Sequence, residues 1–384
     1  MEVYFDNSAT TKVLDSVKDI VVRTMTEDYA NASAKHRKGM EAERYIRDAR
    51  AQIARTLRVA DKEILFTSGG SESNNMAIIG TALANQRAGR HIITTAIEHP
   101  SVYNPMVFLE ELGFTVTFLP VDRDGHICLK ELEQAVREDT ILVSVMYVNN
   151  EVGAVEPVEE IARVIKGRNP QVIFHVDGIQ AYGKYRIRPK TQGIDLLSVS
   201  GHKIHAPKGV GFLYINSGVR IKPLIYGGGQ QGGLRSGTEN VPGVAGLGVA
   251  AREMYEDLDG KVAHLTRLKD YLTDRLGELE GVRVNSKKGA ESAPQIVSAS
   301  FDGVRSEVLL HALEDKGIYV SSGSACSSHH PGVSGTLKGI GLAPADLDAT
   351  LRFSFGMFNT MEEIDYCIQM LQELLPVLRK YKRG

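Results

Sequence analysis

Short, wholly apolar bursts alternate with stretches of helical periodicity through the first two thirds of the chain. Residues 64–66, 91–96, 114–119, 141–148, 172–176, 196–199 and 211–215 read as buried strands, because their apolar side chains fall on both faces. Between them, 40–57, 71–86, 100–112, 129–136 and 157–166 carry apolar positions three and four apart and read as amphipathic helices. This alternation predicts an α/β fold with a mostly parallel sheet covered on both faces. A long helical pattern over 241–279, broken near 259–260, then leads away from the sheet. Strands at 296–301, 318–321 and 351–355 and helices at 306–316 and 361–381 predict a smaller α+β unit. The expected division is a large domain over 14–250 and a small domain formed by 1–13 with 251–384.

Composition narrows the function. The 384 residues are 42% hydrophobic and 24% charged, and 45 basic against 47 acidic residues give a net charge of -2. That balance disfavours a general nucleic-acid binder, whose affinity rests on clustered positive charge. The start, Met-Glu-Val-Tyr-Phe-Asp, lacks a basic region followed by an apolar run, and no apolar stretch reaches membrane-spanning length. A cytoplasmic protein that does not engage membranes is expected. Three scattered cysteines, Cys128, Cys326 and Cys367, can form neither a disulfide framework nor a paired metal knuckle. Each is available as a thiol.

Four segments concentrate chemistry just past the predicted strands. Ser198-Val199-Ser200-Gly201-His202-Lys203 brings hydroxyls, an imidazole and a lysine to a strand end. An exposed lysine is the ordinary explanation. At the end of an α/β strand, however, a lysine can instead form a Schiff base if its surroundings favour the neutral amine. Phe174-His175-Val176-Asp177-Gly178-Ile179-Gln180 ends a strand in a carboxylate. Such a group caps the next helix or meets a buried cation, a protonated pyridine nitrogen being one. Thr67-Ser68-Gly69-Gly70-Ser71-Glu72-Ser73-Asn74-Asn75 puts small and hydroxyl residues at a helix start, suited to an isolated phosphate rather than a nucleotide. Glu98-His99-Pro100 places a histidine that is either a loop residue or a ring-stacking proton carrier.

In this order, the four segments resemble the class V branch of the pyridoxal-phosphate aminotransferase-like fold. More closely they resemble a cysteine desulfurase of the NifS/IscS type. Tyr4-Phe5-Asp6-Asn7-Ser8-Ala9-Thr10-Thr11, Val148-Asn149-Asn150-Glu151-Val152-Gly153, Arg235-Ser236-Gly237-Thr238-Glu239-Asn240 and Ser321-Ser322-Gly323-Ser324-Ala325-Cys326-Ser327-Ser328 extend the match over nearly the whole chain. The resemblance implies a fold type I large domain with a seven-stranded sheet, and pyridoxal 5'-phosphate bonded covalently by Lys203. Asp177 would hold the pyridine nitrogen, Gln180 the phenolic oxygen, and His99 would stack on the ring. Gly70, Ser71, Ser200 and His202 would hold the phosphate. Thr238 would reach the phosphate of a neighbouring subunit, implying a homodimer with shared sites. Asn150 and Arg352 would bind the substrate carboxylate. Cys326 would take sulfur from L-cysteine as a persulfide, deliver it to an iron–sulfur scaffold or other sulfur acceptor, and serve as a transient cluster ligand. Cys128 and Cys367 read as inert thiols.

The chain departs from that pattern at Ser71, where relatives carry threonine, at Asn31-Ala32-Ser33, and at Met357, where many carry arginine. His329 and His330 follow the thiol and either perturb it, contact a metal on the acceptor, or are solvated. A selenocysteine lyase, another class V enzyme acting on an amino acid, and a cofactor-binding scaffold without turnover are the competing readings.

Overall fold

The structure is a computed structural model that describes residues 1–322 and 334–381. Seven strands form the central sheet: β2 (Ile64–Thr67), β3 (His91–Thr95), β4 (Thr115–Leu119), β5 (Thr140–Met146), β6 (Ile173–Asp177), β7 (Leu196–Ser200) and β8 (Gly211–Ile215), preceded in the chain by the short β1 (Val3–Tyr4). Their order across the sheet is β2-β8-β7-β6-β5-β3-β4, and only β8 runs against the rest. The sheet is therefore mostly parallel, as the apolar bursts predict. β5, β6 and β7 end side by side at Met146, Asp177 and Ser200, so one edge of the sheet presents their last residues together.

A second sheet is antiparallel, ordered β12 (Ser321–Ser322), β13 (Thr350–Ser354), β10 (Ile296–Phe301) and β9 (Val282–Val284). β1 pairs in parallel with β11 (Ile318–Tyr319) beside it, and Asp6 bridges to Ser354. Val3 and Phe5 are fully buried in this smaller core among Leu268, Leu272, Phe301, Phe353 and Leu371. Phe5 meets Phe355 edge-on at 5.2 Å. The first residues thus pack with the C-terminal unit. A separate core under the main sheet holds Val143, Val145, Phe174, Val176, Leu197 and Phe212.

Several elements differ from expectation. The helical stretch over 71–86 divides into Gly70–Asn75, a wide π turn at Met76–Gly80, and Thr81–Asn85. The Gly80 carbonyl accepts from the Lys222 amide at 2.9 Å. A side chain at Gly80 would meet Ile221 at 2.4 Å, so only glycine lets the 221–222 segment approach. The 241–279 pattern breaks at Asp257 rather than at 259–260, because the Asp257 carboxylate accepts from the Gly260 amide and caps the second helix. Helix Asp15–Thr26 and strand β9 carried too little apolar signal to be foreseen; the helix fully buries only Val17 and Thr24. Among the described residues no helix is long and apolar enough to cross a membrane.

Candidate active site

The edge where β5, β6 and β7 end opens into a pocket of about 380 Å³. Its walls bring together Gly70, Ser71, His99, Asn150, Asp177, Gln180, Ser200, His202, Lys203 and Arg352 from both sheets, as the sequence analysis expects. Thr238 is exposed and lies outside this pocket. Cys326, His329 and His330 lie outside the described residues.

Asp177 is the last residue of β6 and is buried. No helix follows it, so it does not cap one. Its Oδ1 accepts from the Ile179 amide at 3.0 Å and its Oδ2 from Asn74 Nδ2 at 2.8 Å. Burial pushes its proton affinity up, against those two donors and the positive field of His99 and Lys203. Asn74 also donates to Ser101 Oγ at 2.9 Å, and Ser101 in turn sits 2.8 Å from His99 Nδ1. Because His99 Nδ1 also accepts from the Ser101 amide, the neutral ring carries its proton on Nε2. Burial lowers the proton affinity of that imidazole.

Lys203 closes the short turn Gly201–Lys203 that follows β7. Its amine donates to the carbonyls of Ser8 (2.5 Å) and Ala9 (2.7 Å). Gln180 Nε2 donates to the same Ser8 carbonyl at 3.0 Å. The N-terminal segment therefore crosses from the small sheet to hold the lysine. A second lysine, Lys184, lies beneath it and donates to the Lys203 carbonyl at 2.8 Å. Burial, and then the charge of Lys203, lower its pKa to about 7.

The opposite wall carries Arg352, from β13, almost fully buried. Its Nη1 donates to the Asn150 carbonyl and its Nη2 to Asp6 Oδ1, each at 2.8 Å, while its Nε has no partner among the described residues. A guanidinium held this way still offers donors to a carboxylate.

The residues fit pyridoxal phosphate on three counts. A buried carboxylate and a lysine amine line the same pocket, as a pyridine nitrogen and an aldehyde require. Asn74 Oδ1, Ser8 Oγ and Arg352 Nε are buried donors or acceptors with no partner among the described residues. At the phosphate end, Gly69 has φ +148°, a conformation that favours glycine, and a side chain at Gly70 would strike Ile179 Cδ1 at 2.2 Å. The backbone there stays open beside the hydroxyls of Ser71 and Ser200.

Sequence reasoning missed Asn74, Glu98, Lys184 and Asp6. Asn74 lies one turn beyond Ser71, inside a quoted motif, and that spacing was its only signal. Glu98 sits against Thr95 and the Met146 amide, its Oε1 accepting from both, and burial pushes its carboxyl up to about 8. Cys367 is inert as expected, burial raising its thiol to about 12. Cys128 differs from the expected inert thiol: it is exposed, at the position preceding helix Leu129–Ala135.

The Aminotransferase class-V profile matches residues 3–367. "Cysteine desulfurase IscS" of Dictyoglomus turgidum is 40% identical over 379 residues, covering 98% of this chain and 95% of that one. "Cysteine desulfurase" of Nostoc sp. is 42% identical over 378 residues, covering 98% and 94%. Among solved structures, a "NIFS-LIKE PROTEIN" superposes with a TM-score of 0.93 at 39% identity, covering 98% of this chain and all of that one. The apo cysteine desulfurase of Thermococcus onnurineus NA1 gives 0.88 at 27% identity, covering 98% and 95%.

Proposed function

The chain belongs to the Aminotransferase class-V family, and from that premise we propose that it is a pyridoxal-phosphate-dependent cysteine desulfurase working in the cytoplasm. The observation that carries this reading is one pocket that holds a buried carboxylate, Asp177, a strand-end lysine, Lys203, and a carboxylate-binding fork, Arg352. It converts L-cysteine and a thiol into L-alanine and a persulfide. The bound cofactor supplies an electron sink that weakens the bonds at the substrate carbons.

The protein's residues do the rest. Lys203 Nζ would hold the cofactor covalently and is the group placed to move protons at the substrate carbon. Asp177 would meet the pyridine nitrogen, its two oxygens already held by Asn74 and the Ile179 amide. His99, its Nδ1 held by Ser101, would stack on the ring. Gly70, Ser71, Ser200 and His202 take the phosphate, and Gln180 the phenolic oxygen. Arg352, with Asn150, orients the substrate carboxylate as Asp6 steadies the guanidinium. Cys326 accepts the sulfur and passes it to an iron–sulfur scaffold or another sulfur acceptor. Thr238 completes the phosphate site of a second copy, which explains why it stands outside its own pocket. The division into a 14–250 domain and a 1–13 plus 251–384 domain places Asp177 and Lys203 on one unit and Arg352 on the other.

The test is an absorbance spectrum of the purified protein before and after L-cysteine, with alanine and sulfide quantified. A visible band that shifts as both products appear is expected. A band that shifts without sulfur release moves the substrate elsewhere. No band after adding pyridoxal phosphate overturns the Lys203 assignment.

A further inference from the structure

A second concavity lies where helices Arg37–Leu57 and Val241–Glu256 end beside the 186–188 segment. It is a groove of about 480 Å³, and five arginines line it: Arg55, Arg58, Arg186, Arg188 and Arg252. In a chain of net charge -2 this is a strong local excess of one sign. Carboxylates answer part of it. Arg186 pairs with Asp259 at 2.6 Å, and Arg252 stands 3.6 Å from Glu253 and 3.5 Å from Glu256. The side chains of Arg55 and Arg58 make no ion pair or hydrogen bond among the described residues. The carbonyl ends of the two helices also face this groove, and Arg188 Nη1 donates to the Thr56 and Ile187 carbonyls.

Two features exceed what helix capping needs. Arg188 is half-buried; Arg58 and Arg186 act on it as like charges, the Tyr255 phenol opposes them, and no carboxylate is among the groups that act on it. Burial and these like charges together lower its proton affinity. Arg58, moreover, occupies the left-handed position that ends helix Arg37–Leu57, at φ +56°. Glycine or asparagine ordinarily fills that position, since a side chain is strained there. A guanidinium is thus kept at a conformational cost, next to another that lacks a counter-ion.

We propose that this groove binds a polyphosphate group, free or as the tail of a nucleotide, with Arg55, Arg58 and Arg188 as its forks. Guanidinium planes match phosphate oxygens in pairs, and three forks suit several linked phosphates better than a single carboxylate. The site lies outside the cofactor pocket and shares no lining residue with it.

The experiment is calorimetric titration of inorganic tripolyphosphate into the protein loaded with pyridoxal phosphate, at about 0.15 M salt. Tripolyphosphate should bind at least about tenfold more tightly than orthophosphate, weakening as salt rises. The exposed double variant Arg55→Gln/Arg58→Gln should lose about tenfold in that affinity while melting as the parent does and keeping its cofactor absorbance. Adenosine triphosphate binding as tightly as tripolyphosphate would point to a nucleotide as the source, and weaker binding to free polyphosphate. No saturable binding, or binding that survives the double variant unchanged, overturns the proposal.

Discussion

Asp177 is held in place by neighbours that no strand pattern announces. The sequence marks it as a strand-end carboxylate, and the same logic marks Lys203 and Ser200, because a parallel sheet delivers its last residues to a common edge. What the sequence does not carry is who meets whom. Asn74 reaches Asp177 from 103 positions away, and Asp6 reaches Arg352 from 346. Removing Asn74 takes one donor from a buried carboxylate, a loss of about 1–3 kcal/mol. Asn74→Ala should therefore weaken pyridoxal phosphate binding about tenfold or more, read by equilibrium dialysis against the parent. Unchanged affinity would show that the Ile179 amide alone sustains Asp177. Cys326→Ala should keep the visible cofactor band and lose cysteine-dependent alanine formation under turnover. Normal turnover would remove Cys326 from the reaction.

At the level of elements, the strands and most helices were legible because apolar periodicity encodes which faces are covered. Breaks were less so, since they depend on contacts made elsewhere. The π turn at Met76–Gly80 ends where the Gly80 carbonyl accepts from the Lys222 amide, and the helix boundary at Asp257 rests on a carboxylate that reaches Gly260. The turn that opens helix Gly70–Asn75 is the element most sensitive to a single added carbon. Gly70→Ala would press a methyl group into Ile179, costing about 1–3 kcal/mol if the helix start shifts to avoid it. A fall in apo-protein stability of that size, with a loss of cofactor affinity beyond it, is the expected outcome, compared by thermal melting and by dialysis. If stability falls and cofactor affinity does not, the turn is structural rather than shaped for a phosphate.

Across the whole molecule, buried titratable groups set a pH window. Burial raises Glu98 and Glu156 to about 8 from 4.5, so the stability they lend is complete below pH 4.5 and is lost as pH rises toward 8. Burial lowers His91 to about 4 and His175 to about 3 from 6.5, so their contribution is complete above 6.5 and is lost as pH falls through those values. Buried Lys184 and Lys269, lowered from 10.5 to about 7 and 8, act in the opposite sense above those values. Glu98→Gln should therefore make denaturant-unfolding stability fall less steeply than in the parent between about pH 4.5 and 8, and an unchanged slope would contradict this account. The smaller sheet adds a constraint of another kind. Val3 and Tyr4 pair with Ile318 and Tyr319, Asp6 bridges to Ser354, and the carbonyls of Ser8 and Ala9 receive Lys203. During synthesis on the ribosome, residues 3–6 must wait until residues 318–354 have emerged, more than three hundred positions later, before they find their strand partners. The lysine's cradle is thus assembled only after both sheets exist, which ties cofactor capture to the joining of distant stretches of chain rather than to the folding of either one.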